Sequence, residues 1–143
     1  MGGRSSVPIV ILTFVVLFSL LYVSSAITTT RSPEAVTVII PQGSSSPSSE
    51  HNNFEPAIIK VVIGGNNTVR WVNEDVTSGS VVANDKSDPD FYNATNNEEG
   101  GLKTLLDPGM TFEFTFTKPG EFGYHSEPHP HKHGTVIVLA NEK

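Results

Sequence analysis

The stretch Thr111-Phe-Glu-Phe-Thr-Phe-Thr117 alternates apolar and polar residues without a break. A two-residue period suits a half-buried β-strand and no other regular element, so Phe112, Phe114 and Phe116 are expected on one buried face. Other short runs have the same character. Ala35-Val-Thr-Val-Ile-Ile40, Ile58-Ile-Lys-Val-Val-Ile63, Thr68-Val-Arg-Trp-Val-Asn73, Phe122 to Tyr124 and Gly134 to Leu139 are β-branched or aromatic, and several end in Gly, Pro or Asn turns. Short strands at this spacing, with no helical periodicity, predict an all-β chain folded as an antiparallel Greek-key β-sandwich. Val69, Trp71, Val136 and Val138 complete the expected core.

Composition narrows the function classes. The chain has no cysteine, which excludes disulfides, thiolate metal sites and Cys nucleophiles. Its net charge of −6 disfavours nucleic acid and anionic membrane surfaces, both of which require clustered Lys and Arg. Arg4, an apolar run from Val7 to Val23, and Ser24-Ser25-Ala26 give residues 1–26 the pattern of a secretory signal peptide or a membrane anchor. Both alternatives put the rest of the chain outside the cytoplasm, secreted or held at the outer face of the membrane. Residues 27–53 read as a spacer carrying a first strand at 35–40, and residues 54–143 as the folded domain.

Four of the five histidines, His125, His129, His131 and His133, fall between two predicted strands. The surrounding segment is Tyr124-His-Ser-Glu-Pro-His-Pro-His-Lys-His-Gly134. Its spacing resembles the carboxy-terminal loop of plastocyanin-like cupredoxins: Tyr, one residue, Cys, two residues, His-Pro, one residue, Met, one residue, Gly. Upstream, Thr68-Val-Arg-Trp-Val-Asn73 resembles the family's Thr-Val-x-Trp-x-Asn strand. Asn73-Glu-Asp75 up to Val81 resembles Asn-x-Asp followed by Pro-His-Thr-Val, and Leu102 to Gly109 resembles its lead-in to Pro-Gly. The resemblance runs from about Phe54 to Leu139 and implies a type 1 copper held by Cys, Met and two His. The positions those ligands would occupy hold Gly79, Ser126, His129 and Lys132, so one family ligand remains.

A type 1 site needs a soft thiolate, two imidazoles and a weak axial ligand. This set supplies one imidazole, a hard hydroxyl and an amine, which argues against blue-copper electron transfer. The added histidines point another way. Imidazole suits Cu(II), Zn and Ni, and alternate residues of an extended segment lie about 6.6 Å apart on one side. His129, His131 and His133 are therefore expected to converge on one ion, with Cu(II) preferred and zinc possible. His125, one residue before the Cys position, is expected to point away.

Three function classes remain: an exported metal-binding module, a metal-free interaction or structural sandwich with an envelope protein partner, and an enzyme with type 2 copper. The last is weakest, because no acid–base pair beyond Glu127 is recognisable, so the chain reads as a non-enzyme. Asp85, Asp88 and Asp90 lie in a stretch (84–101) that reads as a solvated crossover loop, without the Gly and bidentate Glu of a calcium loop. His51 reads as a solvated loop histidine. Asn66-Asn-Thr68 and Asn93-Ala-Thr95 are glycosylation sequons.

Overall fold

The computed structural model describes residues 2–3, 33–99 and 102–142. Apart from residues 2–3, the signal or anchor segment (1–26) lies outside the described residues, as does the start of the spacer. The described residues from Pro33 onward belong to one compact unit. Among the described residues it contains nine strands and one helix: β1 (Val36–Ile40), β2 (Ile58–Val62), β3 (Thr68–Asn73), β4 (Gly79–Ser80), β5 (Val82–Ala83), α1 (Pro89–Thr95), β6 (Leu105–Leu106), β7 (Thr111–Thr115), β8 (Gly120–His125) and β9 (His133–Leu139).

One sheet has the order β1-β3-β7 and the other β2-β9-β8-β5; β4 and β6 form a small ribbon. The expected all-β sandwich is present, with antiparallel pairing through β3–β7, β5–β8, β8–β9 and β4–β6. Its edges add something the periodicity did not show. β1 runs parallel to β3 and β2 runs parallel to β9. A period of two reports which face is buried but not strand direction.

Strand β1 belongs to the sandwich instead of preceding it, which corrects the boundary at residue 54. Val38 pairs with Trp71 and Ile40 with Asn73, and both β1 side chains are fully buried. The loop after β1 returns to the sheet, where Ile39 and Glu55 exchange backbone hydrogen bonds.

The aromatic residues meet between the sheets. Trp71 stacks with Phe112 (5.5 Å between centroids) and Phe91 (6.0 Å) and takes the edge of Tyr124 at 5.4 Å. Phe116 stacks on Phe122 at 5.5 Å and is fully buried. Phe112 and Phe114 are half-buried, because β7 is an edge strand whose inner face is not completely covered. Gly134 is required by close packing: a Cβ there would lie 2.4 Å from the Tyr124 hydroxyl oxygen.

The solvated-loop reading of residues 84–101 needs correction. Pro89–Thr95 is a helix that buries Phe91 and Thr95. The Asp88 carboxylate caps it, accepting from the amides of Asp90 (3.0 Å) and Phe91 (3.3 Å), and Pro89 suits the first turn because its missing N–H has no partner to lose. A seven-residue helix makes about two turns, too few for an amphipathic period to register. Asp88 is thus a buried cap, while Asp90 faces the Lys118 ammonium at 3.2 Å and Asp85 accepts from the Ser87 amide.

Candidate metal centre

The four positions that correspond to copper ligands come from two places. Gly79 lies in β4, pinned across to Leu106. Ser126, His129 and Lys132 come from the turn between β8 and β9. That turn closes on itself, with the Ser126 amide donating to the Lys132 carbonyl (3.2 Å) and the Lys132 amide to the His129 carbonyl (2.9 Å). It is also stitched to β4. The Ser80 amide donates to Ser126 Oγ at 3.3 Å, and the Glu127 amide donates to Ser80 Oγ at 2.9 Å. Ser126 is fully buried and is satisfied as a hydroxyl.

Lys132 is the unexpected member. Its residue is 1% exposed, which is rare for a lysine. The ammonium donates to Ser44 Oγ at 3.2 Å, and Ser44 Oγ donates to Asp75 Oδ2 at 3.4 Å. Asp75, also buried, accepts from the amides of Gly43 (3.0 Å), Ser45 (3.0 Å) and Val76 (2.7 Å). Gly43 has φ of 81°, the left-handed region where glycine is favoured, and this turns its amide toward the carboxylate. Burial pushes the Asp75 carboxyl up, but the amide bonds from Gly43, Val76 and Ser45 with the Thr77 hydroxyl outweigh it and hold the group below its ordinary value. Burial lowers Lys132 from its ordinary value, with Asp75 acting in the opposite direction.

At Gly79 an added Cβ would meet Ile40 Cδ1 at 3.2 Å and Lys132 Nζ at 4.0 Å. The space beside Gly79 is therefore filled by an aliphatic side chain and a cationic one. His129 is half-buried, and its Nδ1 is buried without a hydrogen-bond partner among the described residues. Desolvation, then the Lys132 and His131 charges, lower its pKa.

The histidines do not follow the extended course expected of them. Residues 129–132 form the turn described above, so the alternation that would align His129, His131 and His133 is absent. The rings of His129 and His131 lie 6.1 Å apart. His131 Nε2 contacts the Ser44 carbonyl at 2.9 Å, whereas His133 is exposed with Nδ1 at 3.2 Å from the His131 carbonyl. His125 points away, pairing with Asn84 Oδ1 (2.6 Å) and Glu127 Oε1 (3.4 Å). His51 pairs with Glu55 at 2.7 Å. Among the described residues no three His, Cys, Asp or Glu side chains come together as a group that could hold a metal ion.

The copper that the fold implies does not fit this donor set. The thiolate is replaced by a buried hydroxyl, one imidazole position is filled by Ile40, and an ammonium that can only donate occupies the axial position. Sequence reasoning missed Ser44 and the use of Asp75. Ser44 sits in a Gly/Ser/Pro loop with no periodic signal, and Asp75 appeared only as a family anchor.

The sequence model of the family described as "Cupredoxin-like domain" matches residues 11–138, and the chain belongs to that family. Among solved structures, it is similar to a purple cupredoxin from Nitrosopumilus maritimus at 24% identity and a TM-score of 0.56, covering 72% of this chain and 98% of that one. The Cu-containing nitrite reductase of Thermus scotoductus SA-01 matches at 27% identity and a TM-score of 0.53. The match covers 76% of this chain but only 23% of the reductase, so the chain spans about a quarter of that enzyme. A reduced amicyanin variant matches at 21% identity and a TM-score of 0.51, covering 75% of this chain and 84% of that one. The first and third likenesses establish the fold alone.

Proposed function

We propose that this chain is an exported cupredoxin-like domain that works as a metal-free binding module for an envelope protein partner, and not as an electron carrier or an enzyme. The observation that carries the reading is Lys132, an ammonium-bearing side chain 1% exposed at the axial ligand position. A cation already inside the ligand ring opposes a second cation and supplies no lone pair while protonated. The fold around it needs no metal, since its core is aromatic and aliphatic. Two adjacent loops leave Val76 and Met110 exposed, at 71% and 49%, and these offer apolar contacts to a partner. The export pattern of residues 1–26 supports a location outside the cytoplasm, secreted or membrane-anchored.

Elemental analysis of the purified protein, followed by Cu(II) titration, tests this. The expected result is substoichiometric metal and no intense visible band. One tightly held copper per chain, lost in His129→Ala, would overturn it.

A second reading has its own observation. The Nδ1 of His129, without a hydrogen-bond partner among the described residues, and the His131 ring nearby could serve a nitrogen-ligated Cu(II) or zinc ion. Such a site would bind near one equivalent, and its affinity would fall in acid as protons compete for the ring nitrogens, for His129 below the ordinary imidazole range because desolvation and the Lys132 charge lower its pKa.

A further inference from the structure

We propose that Lys132 is a tethered cation that takes the place of the metal and, through Ser44, locks residues 41–46 over the ligand ring as a fixed lid. This rests on the metal-free reading above and adds what Lys132 does for the fold.

The first part of the argument is position. Lys132 Nζ lies 4.0 Å from where a side chain at Gly79 would begin. It therefore occupies space between two family ligand positions instead of leading out to solvent. Lysine side chains are long enough to place the charged end in water, and they do so unless something inside holds it. Here the ammonium is held by Ser44 Oγ at 3.2 Å.

The second part is what Ser44 carries. It belongs to the turn after β1, in which the Ser44 amide donates to the Pro41 carbonyl (3.1 Å) and the Ser46 amide to the Gly43 carbonyl (3.1 Å). In that turn Pro41 and Ser44 are buried. Five polar links fasten it to the ligand ring: Lys132 to Ser44 Oγ, Ser44 Oγ to Asp75, His131 Nε2 to the Ser44 carbonyl, and the Gly43 and Ser45 amides to Asp75. Lys132 and His131 come from one side of the ring and Asp75 from the loop that leads to Gly79. Ser44 Oγ is the shared point, accepting from Lys132 and donating to Asp75.

The charge pattern completes the argument. Asp75 is a buried carboxylate, and among the described residues no Lys or Arg forms a direct ion pair with it. A buried negative charge requires compensation, which here comes from amide dipoles and from the Lys132 charge one hydroxyl away. The same charge repels an incoming metal ion, so holding the lid and excluding the metal have one cause.

The test uses the whole chain. In Lys132→Met and in Ser44→Ala, hydrogen exchange at the Gly43 and Ser45 amides should quicken by about tenfold or more, with no further gain in the double variant, because both changes cut one relay. In parallel, Gly79→His/Ser126→Cys is compared with the same pair plus Lys132→Met. The triple variant should take up one Cu(II) with an intense thiolate absorption, and the double should bind at least about a hundredfold more weakly. Equal copper binding by double and triple, or unchanged exchange in Lys132→Met, would overturn the proposal. Because His at position 79 crowds Ile40 and its variants can misfold, the exchange measurement decides alone in that case. Stoichiometric copper in the purified wild type would remove the metal-free reading itself, whereas unchanged loop exchange would remove only the role of Lys132.

Discussion

Around Trp71 the sandwich is held by rings packed on rings, and around Lys132 it is held by a chain of polar contacts. The first region uses Phe91, Phe112, Tyr124 and Trp71, whose contacts are non-directional and need no charge. The second uses Ser44, Asp75, Ser126 and Lys132, each of which is buried and each of which must find a specific partner. The difference explains how a cupredoxin-like fold persists while its ligand ring changes. On the metal-free reading, packing tolerates loss of the metal because the core is made of aromatic and aliphatic side chains. At the ligand end the Lys132–Ser44–Asp75 relay gives those buried polar groups new partners, while His129 Nδ1 has none among the described residues.

The largest effect should come from the packed region. Phe116→Ala removes a fully buried ring that contacts Phe91, Phe114 and Phe122, and should cost about 3–5 kcal/mol in denaturant unfolding. A loss no greater than that of a surface change would mean the core is not where the stability lies. Asp75→Asn should cost about 1–3 kcal/mol by weakening the acceptor for three backbone amides and removing the counter-charge of Lys132. If it cost as much as Phe116→Ala, the two regions would be equal partners, and the contrast drawn above would fail.

Acid titration sharpens the same contrast. Asp75 has its carboxyl lowered in the folded state, so its contribution is present above the unfolded value of 3.8 and is lost as pH falls through the lower, folded value. Wild-type stability should therefore drop in that acid window more steeply than that of Asp75→Asn. Lys132 has the opposite chemistry but the same slope. Its lowered folded pKa means the unfolded state binds more protons, so stability gains as pH rises toward 10.5 and Lys132→Met should lack that gain. Parallel curves for wild type and Lys132→Met would show that the ammonium is not buried in solution.

Smaller changes mark the outer limits. Asp88→Ala removes the cap of α1 and should cost about 1 kcal/mol, seen first as faster exchange at Phe91. The Arg70–Glu113 pair on the sheet surface is about half exposed at both ends, and charge removal there should change stability by about 0.5 kcal/mol or less. A larger value would mean that surface pairing, and not the interior, separates stable from unstable variants.

The alternation of Phe112, Phe114 and Phe116 and the flanking turns fixed the strand class in advance, because burial of one face imposes a period that the chain itself displays. The spacing from Tyr124 to Gly134 likewise made the family legible, and the residues at positions 79, 126 and 132 made the loss of type 1 ligands legible. Strand direction at β1 and β2, the helix at Pro89–Thr95 and the course of the histidine turn were decided only by tertiary contacts. Parallel and antiparallel strands share one period, two helical turns show none, and three histidines at alternate positions converge only if the backbone between them is extended. The inward turn of Lys132 depends on Ser44, eighty-eight residues earlier in the chain, and on Asp75 behind it. A lysine's environment is set by the groups that meet it in space, and local sequence carries no mark of a partner that distant.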